Sequence, residues 1–390
     1  MKSRDFLRKI LAMLTIPAVL VIRILRPFVL IRFGKLLSDR IGHFAINTEE
    51  YLCEKDAGMY GRRIFDIFYT VKPICNQQLK KMWSRILHIS KIAHFFDIAN
   101  RCLPGYEDHS VSLLGLMDVH GLFVRTAPHL SFTPKEERMG LDGLRKMGIP
   151  EGVPFVCFHA RNQAYLETVY PKADWHSHSH RNSDIYNYIP AVEKLVNRGY
   201  FAIRMGAVVK KKLNNNNPRI IDYAVNHRTD FLDIYLLAKC KFLINNEAGI
   251  HGVSVIFRRP VVEANIVHID PPNLIKGENS LFILKKLWSR RKGRFLTFKE
   301  ILNTGIGKFS TAQQYEKSQI ELIENTPEEI SAVSMEMDER LKNTWQTTEK
   351  DEQLQQQFWA ILKPICPNEN GIIFPRLGAE FLRQNKELLK

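Results

Sequence analysis

Between residues 154 and 265, short apolar runs alternate with stretches in which apolar residues recur every three or four positions. The runs PFVCFHAR, YFAIRMG, RIIDYA, KFLINNEAG and RPVVEAN predict strands, whereas NYIPAVEKLVNRG, DFLDIYLLAKC and IHGVSVIF predict helices. Pro190 suits the first turn of the first helix, and Gly199 suits its C-terminal end. Strands that alternate with helices in this way indicate a parallel α/β sheet.

The preceding part of the chain predicts a second set of such elements. A strand over Phe28–Arg32 is followed by a loop with Gly34 and Gly42 and then by a helix. The stretches RRIFDIFYT and GLFVRTA predict two more strands. A glycine loop between a strand and a helix can present backbone N–H groups to an anion or a sugar, or it can be a plain connecting turn. Residues 133–154 predict a helix and a hinge rich in glycine and proline, where we place a boundary between two domains.

From residue 311 onward the pattern is mainly helical and predicts an extension of the second domain. One helix has clear start signals: Thr326 is the predicted N-cap, Pro327 takes the first helical position, and Glu329 completes a capping box. Apolar residues then recur at helical spacing and predict a stripe that faces a core, namely Ile330, Val333, Met337, Leu341 and Trp345.

The N-terminal segment combines apolar and basic residues. Its 13-residue apolar run starts at Ile10 and is shorter than the roughly 20 residues that a membrane-spanning helix needs. The run ends at Ile22, before Arg23, Arg26 and Pro27. No small-residue cleavage site of a secretory signal follows it. The segment predicts a helix that lies on an anionic membrane surface, with packing on the protein's own core and a true membrane span as the alternatives.

The distribution of charge favours the same kind of partner. The formal net charge is +15, and residues 1–40 hold nine Lys or Arg against Asp5 and Asp39, while a second basic cluster covers residues 285–299. No zinc-knuckle spacing, RNA-recognition signature or helix-turn-helix pattern is present, so nucleic acid is not the expected partner. An anionic membrane surface fits the charge better. Six cysteines without a CxxC pair predict reduced thiols in the cytoplasm.

Polar side chains follow the predicted strands of the second domain. His159 and Arg161 follow PFVCF, and Arg204 lies two residues before Gly206 at the end of the next strand. In parallel α/β sheets, ligands bind beyond the carboxyl ends of the strands. Because a planar guanidinium group suits a phosphate, two arginines at this edge predict a pyrophosphate site, and internal salt bridges are the alternative.

The stretch INNEAGIHGVS adds a second candidate loop at the same edge. Asn246, Glu247 and Gly249 follow a strand and precede a short helix, whose N-terminus can cap a phosphate. Glu247 can bind ribose hydroxyls or can cap that helix. The residues from Glu263 to Asn265 end the next predicted strand and reach the same edge.

The segment DWHSHSHRNSD, residues 174–184, holds three histidines at alternate positions. If the segment were extended, His176, His178 and His180 would share one face and could bind a metal ion. No HExxH motif or nearby carboxylate pair supports this. We expect instead a loop over the carboxyl edge of the sheet, with three side chains that reach towards substrate, namely His180, Arg181 and Asp184.

Five segments together resemble a family of proteins assigned as glycosyltransferases in bacterial surface-polysaccharide gene clusters, such as O-antigen and capsule clusters. They are VCFHAR, HSHRNSDIYNYIPAVEKLVNRGYFAIRMG, IIDYA, DFLDIYLLAKCKFLINNEAGI and LGAEFLRQN. The resemblance covers most of the chain after residue 28 and is most specific over residues 154–265. It implies the GT-B fold, in which two Rossmann-like domains face each other across a cleft. The H-x-R element is similar to the one by which some fucosyltransferases hold a nucleotide-sugar pyrophosphate, which implies donor binding by His159 and Arg161.

Two shorter stretches are compared with heptosyltransferase-like enzymes. RIGHF resembles their acceptor-side loop. NNEAGIHG departs from their D-[ST]-G-x-x-H donor loop, because the acid is Glu247, the small residue is Ala248, and His251 follows the glycine one place early.

The resemblance implies an α/β glycosyltransferase of GT-B type, and the N-terminal segment adds the expectation that it is membrane-associated. The expected segments are an N-terminal membrane-associated helix (1–27), an acceptor-side domain (28–150), a nucleotide-sugar-binding domain (151–310) and a helical extension (311–390). The enzyme would lie at the cytoplasmic face of the inner membrane and act on a surface-polysaccharide or lipid-linked glycan acceptor, with no cofactor and no metal ion. Arg161 and Arg204 would stabilise the leaving nucleotide. If the reaction inverts, Asp39 or His43 would activate the acceptor hydroxyl.

Three alternatives stay open at this point. The first is a nucleotide-sugar epimerase on the same fold. The second is a metal-dependent hydrolase centred on His176, His178 and His180. The third is a non-catalytic protein that binds a membrane surface.

Overall fold

The computed structural model describes residues 13–61, 63–115, 118–269, 280–365 and 376–390. The chain forms two compact units: unit 1 contains Met1–Asp118 and Arg125–Ser131, and unit 2 contains Val119–Val124 and Phe132–Lys390. The division falls ahead of the predicted hinge, and the helix predicted there belongs to unit 2.

The described strands of unit 1 are β1 (Leu30–Leu36), β2 (Ile64–Thr70), β3 (His88–Ile89) and β4 (Ser110–Val111). Its helices are α1 (Ile16–Ile24), α2 (Ile41–Asp56), α3 (Gln77–Trp83) and α4 (Ala93–Arg101), with a 3₁₀ turn at Tyr106–His109. The short helix α5 (Leu122–Arg125) contains the boundary between the units. The prediction of a strand in GLFVRTA is therefore wrong, because a short apolar run without periodicity fits either element.

The described strands of unit 2 are β5 (Phe155–Phe158), β6 (Phe201–Arg204), β7 (Ile220–Ile221), β8 (Leu243–Asn245), β9 (Val261–Ile266), β10 (Leu281–Leu284), β11 (Lys286–Ser289), β12 (Arg294–Phe295), β13 (Ile320–Ile323) and β14 (Arg376–Leu377). Its helices are α6 (Pro134–Lys146), α7 (Ala164–Val169), α8 (Ile189–Asn197), α9 (Tyr223–Asn226), α10 (Asp230–Lys239), α11 (His251–Ile256), α12 (Phe298–Asn303), α13 (Ala312–Lys317), α14 (Pro327–Leu341), α15 (Glu349–Leu362) and α16 (Ala379–Gln384). Shorter 3₁₀ turns lie at His176–Arg181, Ile185–Tyr188, Ile306–Lys308, Lys363–Ile365 and Lys386–Leu389.

Each unit is built around a parallel sheet whose first strand is internal. In the described residues the order is β3-β2-β1-β4 in unit 1 and β14-β10-β9-β8-β5-β6-β7 in unit 2, with a small antiparallel sheet β12-β11-β13. In both units the chain adds two strands on one side of the first strand and then crosses to its other side. This is the strand order of the doubly wound Rossmann fold, in which ligands bind where the chain changes side. The predicted parallel α/β class is confirmed, and the two switch points lie between β1 and β4 and between β5 and β8.

The predicted loop with two glycines after the first strand is wrong. β1 extends to Leu36 and includes Gly34. A Cβ atom at Gly34 would lie 2.5 Å from Val111 Cγ1 and 2.6 Å from Phe68 Cε1, so this strand position has room only for glycine. Gly42 lies in the first turn of α2. Close packing in a sheet, rather than an open loop, accounts for the first glycine.

The C-terminal tail is mainly helical, as predicted, and packs into the core of unit 2. The predicted N-cap and capping box of α14 both form. Ile330, Val333 and Met337 are buried in the same cluster as the apolar residues of the large sheet. The helix ends at Leu341, so Trp345 lies beyond it and is not part of the helical stripe. β14 adds an edge strand to the sheet, which makes the tail part of this core.

Helix α1 packs on unit 1 and also exposes apolar side chains. Val19 is buried, and the Arg23 guanidinium donates to Asn100 Oδ1 at 2.7 Å and to the Pro104 carbonyl at 2.6 Å. One side of the helix therefore packs on the protein's own core, which was one of the predicted alternatives. Large apolar side chains of the same segment are exposed, namely Leu14, Leu20, Val21, Ile24 and Phe28. Residues 1–12 lie outside the described residues, and no described helix is long and apolar enough to cross a bilayer.

Candidate functional site

His159 lies directly after β5, at the switch point of unit 2. Its backbone N–H donates to the Ile244 carbonyl at 2.9 Å, which continues the pairing of β5 with β8. His159 Nδ1 donates to the Met205 carbonyl at 2.9 Å, so the lone pair of the neutral ring is on Nε2. Burial, helped by the charges of Arg204 and Arg161, lowers the pKa of His159 to about 4. The imidazole is therefore neutral at pH 7.

Arg161 joins the loops that follow β5 and β8. Its backbone N–H donates to Asn246 Oδ1 at 2.7 Å, and Asn246 Nδ2 donates to the Arg181 carbonyl at 2.9 Å. The guanidinium Nη1 of Arg161 donates to the His178 carbonyl at 2.9 Å and to Asn182 Oδ1 at 2.8 Å. Arg161 is only 8% exposed, so these bonds hold a desolvated cation against neutral oxygens. The two loops and the histidine segment thus form one hydrogen-bonded cluster around the guanidinium group.

The histidine segment is a 3₁₀ helix over His176–Arg181 and is not extended. A 3₁₀ helix has three residues per turn, so alternate positions point to different sides. His176 is exposed, whereas His180 is buried. The shared face on which the hydrolase alternative depends is therefore absent from this segment. Among the described residues, the candidate metal group of His, Cys and carboxylate side chains lies elsewhere, in unit 1.

His180 points into the core of the cluster. Its Nδ1 donates to the Ser177 carbonyl at 3.1 Å, and its ring lies 5.6 Å from that of His268 and 5.7 Å from that of Tyr315, centroid to centroid. Burial and the charges of Arg181 and His268 lower the pKa of His180 to about 4. Its buried Nε2 has no hydrogen-bond partner among the described residues. Leaving a buried acceptor without a hydrogen bond costs about 1–3 kcal/mol.

Glu247 is held by the loop that follows β9. Its carboxylate accepts hydrogen bonds from the Val267 N–H at 3.0 Å and from His268 Nδ1 at 2.6 Å, and His268 Nε2 donates to the Phe309 carbonyl at 3.0 Å. Burial alone would raise the pKa of Glu247, but the hydrogen bond and charge of His268 outweigh it and lower the pKa to about 2. The described bonds of this carboxylate go to the end of β9 and not to α11, so Glu247 does not act as the predicted helix cap.

Two other predicted donor residues are exposed. The Asp184 carboxylate accepts from the Tyr186 N–H at 3.0 Å and thereby caps a 3₁₀ turn. Gly249 lies in the loop before α11, which begins at His251. Because α11 has six residues, its N-terminus supplies a weaker field for a phosphate than a long helix would.

Arg204 forms the internal salt bridge that was the alternative to phosphate binding. Its Nη1 lies 3.3 Å from Asp222 Oδ2 and donates to the Lys211 carbonyl at 2.7 Å. Asp222 also accepts from the Leu213 N–H at 2.8 Å. The pair therefore holds the loop between β6 and β7. The charge of Arg204 still contributes to the lowered pKa of His159, after burial.

Lys285 is a buried cation that the sequence analysis did not single out. Its Nζ donates to the carbonyls of Asn182 at 2.7 Å and His180 at 3.2 Å, and Glu324 Oε1 lies 3.9 Å away. Burial lowers the pKa of Lys285, the charges of Glu324 and Glu247 oppose this effect, and the charge of Arg161 adds a smaller lowering. Lys285 follows β10 directly. The pattern that predicted His159 and Arg161, a polar residue at the carboxyl end of an apolar run, therefore applies to Lys285 as well. It was read instead as part of the basic cluster at residues 285–299.

The two candidate bases lie in unit 1, beyond the carboxyl end of β1. His43 is in the first turn of α2, and its Nδ1 donates to Asn47 Oδ1 at 3.0 Å. That bond leaves the ring lone pair on Nε2, as a general base requires. Asp39 lies four residues earlier, in the turn before α2, and is half-buried. Both residues are at the switch point of their own sheet.

No family model matches the chain, and no curated protein matches it. Solved structures to which it is similar include E. coli ADP-heptose lps heptosyltransferase II, with 12% sequence identity, coverage of 65% of this chain and 90% of that chain, and a TM-score of 0.38. A glycosyl transferase family 9 protein from Veillonella parvula is 9% identical in sequence, and the match covers 60% of this chain and 80% of that chain with a TM-score of 0.36. E. coli heptosyltransferase WaaC is 10% identical in sequence, and the match covers 65% of this chain and 93% of that chain with a TM-score of 0.33.

Proposed function

We propose that unit 2 binds a nucleotide-activated sugar between the carboxyl ends of β5 and β8, and that the protein transfers this sugar to a hydroxyl group of a glycan or lipid-linked acceptor. The observation that carries the proposal is the cluster in which Arg161 joins both loops at the switch point. Nucleotides bind at this position in doubly wound folds. The resemblance of the H-x-R element assigns the same residues, His159 and Arg161, to the donor pyrophosphate.

The charges around the cluster suit a diphosphate. Arg161 and Lys285 are 8% and 5% exposed, and the repulsion between them contributes to the lowered pKa of Lys285, after burial. A pyrophosphate bound beside them would relieve this repulsion. As the bond to the sugar breaks, the same cations would stabilise the negative charge that develops on the leaving nucleotide without the help of a metal ion. His159 and His180 are neutral at pH 7 and add no charge to the site.

The acceptor hydroxyl needs a base if the reaction inverts the sugar configuration. His43 is the better of the two candidates, because its Nε2 carries the lone pair while Nδ1 is fixed by Asn47. Asp39 is the other candidate. A transferase makes a new glycosidic product from two substrates, whereas an epimerase on the same fold returns a nucleotide sugar, so product analysis separates the two reactions.

Nucleotide binding is the first test of this function. Thermal unfolding of the full chain is measured with UDP, GDP, ADP, CMP and TDP, each with and without EDTA. We expect one nucleotide at about 100 times its dissociation constant to stabilise the fold by roughly 2.7 kcal/mol. The shift is taken relative to the same buffer without nucleotide, and we expect EDTA to leave it unchanged. If none of the five nucleotides shifts the transition, the donor site is wrong.

We propose further that the protein lies peripherally on the cytoplasmic face of the inner membrane. The support is the apolar side chains that α1 and the following turn expose, together with the nine Lys or Arg among residues 1–40. Arg26 lies within this apolar set and is more than half exposed in its pair with Asp108. Apolar side chains beside basic residues suit the interface of an anionic leaflet.

Vesicle binding tests this location. We expect the full chain to float with phosphatidylcholine vesicles that contain phosphatidylglycerol and to bind more weakly at high salt. Changing Ile24 and Phe28 together to Glu is expected to reduce binding at least about tenfold, because each buried apolar side chain contributes about 1.5–3 kcal/mol. Leu114→Glu is the matched control: Leu114 is 72% exposed, against 73% for the other two, but it follows β4 at the opposite end of the sheet. Equal loss in both variants would contradict this location.

A further inference from the structure

Three potential metal ligands, two from α2 and one from a distant segment of unit 1, meet beside this helix. Glu49 and Cys53 are four residues apart on α2 and therefore lie on the same face of the helix. His129 comes from the segment that returns the chain to unit 1. One ligand atom from each of these three residues lies within 4.8 Å of the other two, and Glu49 and Cys53 are fully buried.

One pair of the ligand atoms is spaced nearly as a single ion requires, and all three atoms lie within 4.8 Å of one another. Zinc binds sulfur at about 2.3 Å and nitrogen or oxygen at about 2.0–2.2 Å, so tetrahedral ligand atoms lie roughly 3.3–3.7 Å apart. His129 Nδ1 is 3.1 Å from Glu49 Oε1. Cys53 Sγ lies 3.2 Å from Thr126 Oγ1, a hydroxyl on the same returning segment. Small rotations of the three side chains would therefore suffice to bring all of them onto one ion.

The second nitrogen of His129 is oriented as it is in many zinc sites. His129 Nε2 lies 3.0 Å from Asp56 Oδ2. A metal-bound histidine almost always donates its other ring N–H to a carboxylate or a carbonyl, which fixes the ring and makes the bound nitrogen more basic. Asp56 would take this role, because its contact with Nε2 holds the ring so that Nδ1 is directed at Glu49 and Cys53.

The electrostatics of the group favour a cation. A divalent ion bound to His129 Nδ1 would face the Glu49 carboxylate and the Cys53 thiol, and the Asp56 carboxylate lies at the other ring nitrogen. A borderline ion such as Zn²⁺ accepts this mixture of nitrogen, sulfur and oxygen ligands.

We propose that unit 1 binds one zinc ion through Glu49, Cys53 and His129, with Asp56 orienting the histidine. Water or the second oxygen of the Glu49 carboxylate would complete the coordination. The ion would tie the returning segment to α2 and so stabilise unit 1. It would take no part in the donor chemistry of unit 2, so this site and the proposed transferase activity can each fail separately.

Metal content and affinity of the full chain test the site. We expect about one equivalent of Zn²⁺ after dialysis against excess ion and removal of weakly bound metal, and a higher melting temperature than that of the chelator-treated protein. Asp56→Asn is expected to weaken Zn²⁺ binding roughly 10- to 100-fold, and Cys53→Ser or His129→Gln more strongly. Co²⁺ provides a spectroscopic check, because a thiolate ligand gives a charge-transfer band that Cys53→Ser would remove.

Cys102→Ser is the matched control for the cysteine substitution. Cys102 is exposed in unit 1 and donates to the Ile98 carbonyl. We expect Cys102→Ser to leave zinc binding and the Co²⁺ band unchanged. Asp56 has a side chain that is 65% exposed, so Asp56→Asn tests the site even if a buried substitution prevents folding. Zinc content well below one equivalent, or zinc affinity unchanged in both His129→Gln and Asp56→Asn, would mean that the cluster does not bind a metal ion.

Discussion

Arg161→Lys is expected to weaken binding of the cognate nucleotide 10- to 100-fold, as measured by calorimetric titration. A guanidinium group has five N–H donors in a plane, so Arg161 can serve both the histidine segment and a pyrophosphate. Lysine keeps the positive charge but lacks the paired donors, and charge-assisted hydrogen bonds contribute about 1.5–3 kcal/mol each. Because the lost contacts are those to the leaving group, the rate of sugar transfer is expected to fall with the affinity.

Asn182→Ala is the control that separates direct binding from positioning. Asn182 accepts a hydrogen bond from Arg161 Nη1, and removing its side chain loosens the histidine segment without removing the cation. We expect a loss of about 1 kcal/mol in stability and little change in nucleotide affinity. If Arg161→Lys and Asn182→Ala weaken nucleotide binding equally, Arg161 only positions the segment, and the pyrophosphate assignment is wrong.

Much of the fold follows from local patterns in the sequence. The central strands of unit 2 are buried on both faces, so β5 appears as a continuous apolar run. β9 is buried along its whole length too, although it includes Glu263 and Asn265. The helices between these strands carry ordinary start and stop signals. Gly34 was misinterpreted because the sequence contains no information about which side chains pack across a strand. The contacts of Phe68 and Val111, which are distant in sequence, determine that glycine.

The sequence predicts which residues of the site follow the ends of strands. It does not predict which side chains those residues bind. His159, Arg161 and Asn246 follow apolar runs, and the parallel sheet brings them together as expected. The salt bridge of Arg204 with Asp222 joins residues 18 apart through a loop whose path no pattern specifies. The histidines were misassigned to one face for a similar reason, because alternation in sequence indicates a shared side only if the backbone is extended.

Glu247→Gln is expected to destabilise unit 2 by about 3 kcal/mol at pH 7, as measured by urea unfolding. The pKa of Glu247 falls from its ordinary value of 4.5 to about 2, chiefly because His268 opposes the cost of burial. A shift of this size corresponds to about 3 kcal/mol, since each pKa unit is equivalent to about 1.4 kcal/mol. Glutamine retains the shape of the side chain but loses the ionic bond, and its amide cannot accept from both His268 and Val267 as well as a carboxylate does.

The pH dependence of unfolding separates this structural role from the ribose-binding role predicted for Glu247. Because the folded pKa is lowered, the stabilisation is complete above the unfolded pKa and is lost as the pH falls from about 4.5 to about 2. Glu247→Gln is expected to remove most of that acid-dependent loss, whereas Glu316→Gln, at a carboxylate that is 67% exposed, is expected to change stability by less than about 0.5 kcal/mol. A variant that unfolds like the wild type at pH 7 but binds nucleotide more weakly would instead place Glu247 on the ribose. Weaker binding accompanied by the full loss of stability would mean that Glu247 acts by holding the end of β9 beside the cluster.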